Sequence, residues 1–231
     1  MMGSTHAATG ALAGLVTLPL APVTGPGGAA AWVAVWAGAA LAPDLDTHGS
    51  SAARIWGPPT RLAGAAIGRA ARGHRAGTHD IVIAPLAAIG VFAVAGMWAP
   101  AAVLAVAVLA GLAQVALDPL IPGDGRHSLT NAVLSFGFAY VVVVVVDVST
   151  WWVPFAVAGG VVVHILGDAL TTSGVPVPGA WLLPVPRRDV PSWGLRWFDT
   201  GKRFERRVVA PWVDAFIAAA VVGNVALVVA A

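Results

Sequence analysis

The chain contains no cysteine, which excludes disulfides and any metal site built on thiolate. Charge is nearly as scarce. Only 10% of the 231 residues are Asp, Glu, Lys or Arg, whereas soluble domains carry about a quarter. One lysine, Lys202, and one glutamate, Glu205, stand in the whole sequence. A basic segment is missing from the opening MMGSTHAATG, which therefore does not read as a signal peptide. A net charge of +2 is too small to imply nucleic-acid binding by itself. What remains is hydrophobic, at 58% of residues, and this places the chain in the membrane class.

Apolar runs occur at 7–22, 28–43, 81–98, 100–117, 132–148, 151–170 and 209–230. A hydrocarbon core about 30 Å thick needs roughly 20 helical residues, so the later runs are span-length or nearly so. The first two are short and rich in Gly and Ala, as in a tilted or partly embedded hairpin. The expected fold is all-α: a polytopic membrane helical bundle of about seven spans, forming a single domain over 1–231.

All thirteen basic residues fall in three segments. Arg54, Arg61, Arg69, Arg72 and Arg75 follow the second run, Arg126 the fourth, and Arg187, Arg188, Arg196, Lys202, Arg203, Arg206 and Arg207 the sixth. With seven spans these segments share one side, which the positive-inside rule makes cytoplasmic. The expectation is an inner (plasma) membrane protein with its N-terminus in the cytoplasm and its C-terminus outside. Segment 47–80 has loose helical spacing and suits the interface. Segment 171–208 is broken by proline and carries the Trp residues of a headgroup-level stretch.

Histidine is also sparse, and its placement is informative. His6 opens the first run, Asp44 and Asp46 close the second in APDLD, and His74 and His79 precede the third in GHRAGTHD. His164 and Asp168 lie four apart near the end of the sixth, on one helix face within an apolar run, where ionisable groups are costly and usually functional. In the assigned topology all seven approach the cytoplasmic face. Imidazole and carboxylate without sulfur favour Zn²⁺, with Mn²⁺ or Fe²⁺ next, and seven ligands exceed one tetrahedral zinc. Two or three ions are expected. His48 and His127 belong to no such motif.

Taken in order, the early His, PDLD, HRAGTHD and HILGDALTTSGVP resemble the YdjM-like family of LexA-regulated inner-membrane metal-dependent hydrolases. FDTGKRFER is similar to that family's late Gly-x-x-x-Glu stretch. The resemblance implies a hydrolase distantly similar to zinc phospholipases C and single-strand nucleases. It makes His6, Asp44, Asp46, His74, His79, His164 and Asp168 the metal ligands. Asp46, His79 and Glu205 become the catalytic candidates, with Glu205 as ligand or general base. Thr78, Thr171 and Thr172 would orient ligands. Asp80 departs from the pattern, which usually has Ser there, and residues 99–148 look like an extra helical pair that the resemblance does not cover.

The expected function is cleavage of a phosphoester in a lipid or lipid-linked substrate by metal-activated water, with membrane lipids as partners. The arginines of segment 181–207 would meet the phosphate. A nuclease-type phosphodiesterase is a variant of this reading. A transporter or ion pathway and a non-catalytic scaffold are the alternatives from other classes.

Overall fold

The structure, a computed structural model, describes residues 1–120, 128–184 and 189–230. Arg126, Arg187, Arg188 and Ala231, which entered the orientation reading, lie outside the described residues. The described chain is mainly helical. Its eight α-helices are α1 Gly3–Thr17, α2 Gly25–Ala39, α3 Pro58–Ala70, α4 Ile83–Gly96, α5 Ala99–Ala113, α6 Ser128–Tyr140, α7 Val153–Ala169 and α8 Ala210–Ala230. Proline in the first turn opens α2, α3, α5 and α7, where its missing N–H would lack an intrahelical partner anyway.

Each of the seven apolar runs forms a helix, but their lengths differ. Three stretches, Ala99–Leu117, Ser128–Val145 and Glu205–Leu227, are long and apolar enough to cross a membrane, while Ile83–Gly96 and Val153–Ala169 are shorter apolar helices. α1 and α2, with 15 residues each, extend only about 22 Å. α1 starts earlier than its apolar run and stops at Thr17, because Pro19 in the following turn cannot continue it. His6 therefore lies inside the first turns of the helix and not ahead of it.

α2 is the hub, packing against α1, α5 and α7, and glycine sets the approach. A Cβ on Gly38 would stand 2.0 Å from the Leu109 carbonyl oxygen of α5, and one on Gly160 of α7 would stand 2.5 Å from Ala39 Cβ. Small residues let helix backbones meet this closely. Around these contacts Trp32, Val35, Leu109, Trp152, Val157, Val161 and Ile165 form the main core. α4 pairs with α7, α6 with α5, and α8 with α1, where Asn224 Nδ2 donates to the Leu15 carbonyl at 3.0 Å.

α3 is amphipathic, exposing Leu62 while Gly64 and Gly68 lie against the carbonyls of Leu45 and Asp46. The chain between α7 and α8 folds back on itself. β1 (Val175–Pro176) pairs antiparallel with β2 (Ser192–Trp193), and Thr171 bridges Phe198. Backbone bonds from Leu195 to Ala169, Trp197 to Leu170 and Val177 to Pro191 continue the closure.

Candidate metal centre

The start of α1, the end of α2, the start of α4 and the end of α7 meet at one end of the bundle, where α3 packs on the turns that follow α2. The site residues come from these ends. Two groups of potential ligands result: His6, His164 and Asp168, all buried, and Asp44, His74 and His79 beside them. Six of the seven expected ligands are thus in the two groups. The seventh, Asp46, stands behind the rings.

The imidazole orientations follow from their outer partners. His164 Nδ1–H donates to the Ala40 carbonyl at 2.7 Å, at the C-terminal end of α2 where carbonyls lack intrahelical partners. The Thr78 hydroxyl donates to Asp46 Oδ2 and accepts from His79 Nδ1–H at 3.0 Å. Both rings consequently turn Nε2 inward, and the two Nε2 atoms face each other at 3.1 Å. Asp44 Oδ1 lies 3.9 and 3.8 Å from these nitrogens, and Asp168 Oδ2 lies 3.6 and 3.9 Å from them. Tetrahedral zinc with bonds of about 2.0–2.1 Å holds its donors about 3.3 Å apart. The four spacings are therefore those of a ligand set that a cation can draw together.

His6 completes the neighbouring group. Its ring stacks on His164 with centroids 3.7 Å apart, and its Nε2 lies 3.1 Å from Asp168 Oδ1. The buried Nδ1 has no hydrogen-bond partner. An orphaned imidazole nitrogen in a buried cluster is costly unless a cation or proton meets it. The donor set, nitrogen and oxygen without sulfur, suits zinc-like ions.

Asp46 has both oxygens occupied by protein donors. Oδ1 accepts from His74 Nδ1 at 2.8 Å and from the Thr47 hydroxyl at 2.9 Å, and Oδ2 accepts from Thr78. Such a carboxylate orients histidine ligands and makes them more basic. Burial pushes the Asp46 carboxyl up, but the hydrogen bonds from His74 and Thr78 outweigh it and hold it below the ordinary value. Burial raises the carboxyl of Asp44. His79 is held well below the usual imidazole value by burial and then by His164 beside it, so it is neutral, as a ligand must be.

Glu205 and Asp80 are both fully buried. Glu205 accepts backbone N–H from Met2 at 2.6 Å and from Gly201 at 2.7 Å, which fastens the start of α1 to the turn before α8. Asp80 is a cap. Its Oδ1 accepts from Val82, Ile83 and Gly179 N–H at 3.0, 3.2 and 3.0 Å, and its Oδ2 accepts from Trp181 N–H at 3.2 Å. One carboxylate thus closes the start of α4 and docks residues 179–181 beside the His loop. Trp181 covers Gly77, where a Cβ would stand 2.5 Å from the indole, and Arg72 lies over the Trp181 ring. Thr171 donates to the Asp168 carbonyl, and Thr172 to Asp199.

Two contacts lay beyond sequence reasoning. The Ala40 carbonyl has no side-chain signature at all. Arg75, counted above as one of the topology-setting charges, pairs through Nη2 with Asp168 Oδ2 at 2.9 Å. Its place inside HRAGTH, between two candidate ligands, was the available signal.

Comparison with known proteins follows the same residues. Searches of curated proteins and of solved structures each find no match. The model of the YdjM inner membrane protein family matches residues 1–125, which takes in His6, APDLD, GHRAGTHD and all of α5. That match covers more than half of the 231 residues, and the chain belongs to the YdjM inner membrane protein family.

Proposed function

We propose that this membrane protein is a metal-dependent hydrolase whose two adjacent His/Asp groups hold two zinc-like ions, and that it cleaves a phosphoester of a lipid or lipid-linked substrate at the cytoplasmic interface. The observation that carries the reading is the pair of inward-facing Nε2 atoms of His79 and His164, each with its other nitrogen already committed. Two buried lone pairs pointed at one another repel unless a cation lies between them.

Bound ions of this kind supply Lewis acidity and lower the pKa of a coordinated water. The chain's own residues do the rest. Ala40 and Thr78 lock the tautomers of His164 and His79, and Asp46 holds His74 and Thr78 in register. Asp44, its side chain 18% exposed, is the acidic group of the pair that solvent reaches. Glu205, with both oxygens on backbone N–H groups, positions the start of α1 and with it His6. The donors come from helix ends, where His74 and Asp44 are the partly exposed members and His6, His79, His164 and Asp168 are buried. A midplane transport site would instead use interrupted helices.

The test is elemental analysis of protein purified in mild detergent without chelator. Two zinc-like ions per chain are expected, reduced in H79A and H164A variants that retain the wild-type helical circular dichroism. A metal-free wild type sinks the reading. Reconstituted protein offered phospholipids together with single-stranded DNA should release chelator-sensitive product from lipid; DNA fragments with untouched lipid would favour the nuclease variant.

A further inference from the structure

We propose that Arg75 is the oxyanion-binding residue of this centre, a cation set into the ligand ring to receive the oxygens of a phosphoester. The proposal rests on the metal-site reading above and adds the group that would recognise the substrate's charge. Among the described residues, Arg75 is the only Lys or Arg side chain in an ion pair with a candidate ligand. Its Nη2 meets Asp168 Oδ2 at 2.9 Å, and its Nη1 donates to the Gly174 carbonyl at 2.7 Å. Those two bonds use two of the five N–H donors of a guanidinium. The side chain is 20% exposed while Asp168 is 2% exposed, so the arginine closes the ring on the side that solvent reaches.

The backbone points the same way. Arg75 has φ +58°, following Arg72 at +64° and Gly73 at +103°. A left-handed conformation is costly for a residue with a Cβ, and it persists where the surroundings demand that placement. Here the turn sets His74 toward Asp46 and Arg75 toward Asp168 from adjacent positions. A planar fork with unused donors beside a cation-binding ring is the arrangement that recognises phosphate oxygens bidentately. The arginines of segment 181–207 were the ones expected to meet the phosphate, and Arg187 and Arg188 among them lie outside the described residues. Of those described, Arg196 bonds Ser192, and Arg203, Arg206 and Arg207 are exposed.

A merely structural role, tying the His loop to the turn at Gly174, predicts the opposite sign in one measurement. Removing a tie loosens the site and weakens zinc binding, whereas removing a cation beside zinc strengthens or preserves it. The experiment compares wild type, R75K and R75Q in phosphatidylcholine nanodiscs. Zinc affinity is read by competition with a chelating dye, and inorganic phosphate binding to the zinc-loaded protein is read by calorimetry. R75Q should bind zinc at least as tightly as wild type and bind phosphate about tenfold to a hundredfold more weakly, the loss of a hydrogen-bonded charge. R75K should recover part of that. Unchanged phosphate affinity, or weakened zinc binding, in R75Q overturns the proposal while leaving the metal site standing. A wild type that binds no zinc removes the metal reading and this one with it. Adding phosphatidic acid to the nanodiscs separates the sources. Competition with free phosphate assigns the site to a lipid headgroup, and its absence assigns the site to a soluble phosphoester.

Discussion

Replacing Asp80 with Ser, the residue usual at that place in the family pattern, tests how the site is roofed. In this chain the Asp80 carboxylate accepts four backbone N–H groups, two at the start of α4 and two from Gly179 and Trp181, a hundred residues away. A serine hydroxyl still caps a helix nearly as well as aspartate, so the bonds to Val82 and Ile83 are replaced. It is too short to reach residues 179–181. Hydrogen bonds to a charged group contribute about 1.5–3 kcal/mol each, so D80S should weaken the docking of residues 177–183 by about 3 kcal/mol, taking the low end for two bonds to one carboxylate that also caps α4. That corresponds to roughly a hundredfold rise in local opening, since about 1.4 kcal/mol is a factor of ten. The assay is amide hydrogen exchange in detergent. The bonds from Ala180 N–H to Val177 and from Leu182 N–H to Gly179 should lose protection, while amides in the middle of α4 keep theirs. Equal protection in D80S and wild type would refute the argument, because it would mean that Trp181 packing on Gly77 holds the segment without the carboxylate.

Three further outcomes follow from the same contacts. T78V removes both the acceptor for His79 Nδ1–H and the donor to Asp46; zinc affinity should fall about tenfold to a hundredfold, the usual effect of losing such an outer partner, as a dye competition would measure. Metal-free protein should lose thermal stability as pH falls below about 6.5, the ordinary His value. His79 stays neutral when folded, so the unfolded chain binds the additional proton and acid favours it; melting midpoints that do not fall between neutral and mildly acidic buffer would contradict this. G38A should cost about 1–3 kcal/mol, because the new methyl would meet the Leu109 backbone and not a movable side chain. Its unfolding midpoint in denaturant measures that loss.

The candidate ligands stood out in the sequence because an ionisable group in or beside an apolar run is expensive, and chains keep few of them without use. His164 and Asp168 also declared their common face through a spacing of four. The division of labour inside APDLD was not legible. Asp44 and Asp46 are two apart in a tight helical turn, Ala42–Asp46, and which carboxylate faces the rings depends on how α3 lies over that turn. Glu205 and Asp80 were visible as unusual acids, yet their partners are backbone amides, which carry no signature in sequence. Helix length was the other gap. Apolar runs show where a helix can lie, but α1 and α2 each begin ahead of their runs and end inside them, at Thr17 before Pro19 and at Ala39 before the Ala42–Asp46 turn.

The segment between α7 and α8 leaves the bundle and returns to nearly the same point. Rungs from Leu195 to Ala169, from Trp197 to Leu170 and from Thr172 to Phe198 fasten its base, and the β1–β2 pair fastens its neck. The spacing between Asp168 and Glu205 is therefore set at the base and is independent of how much chain lies beyond the last rung at Val177 and Pro191. Closing a longer loop costs little, about 0.6 kcal/mol for each doubling. An epitope or a small reporter inserted past that rung, outside the docked residues 179–183, would leave the registration of the two helices unchanged.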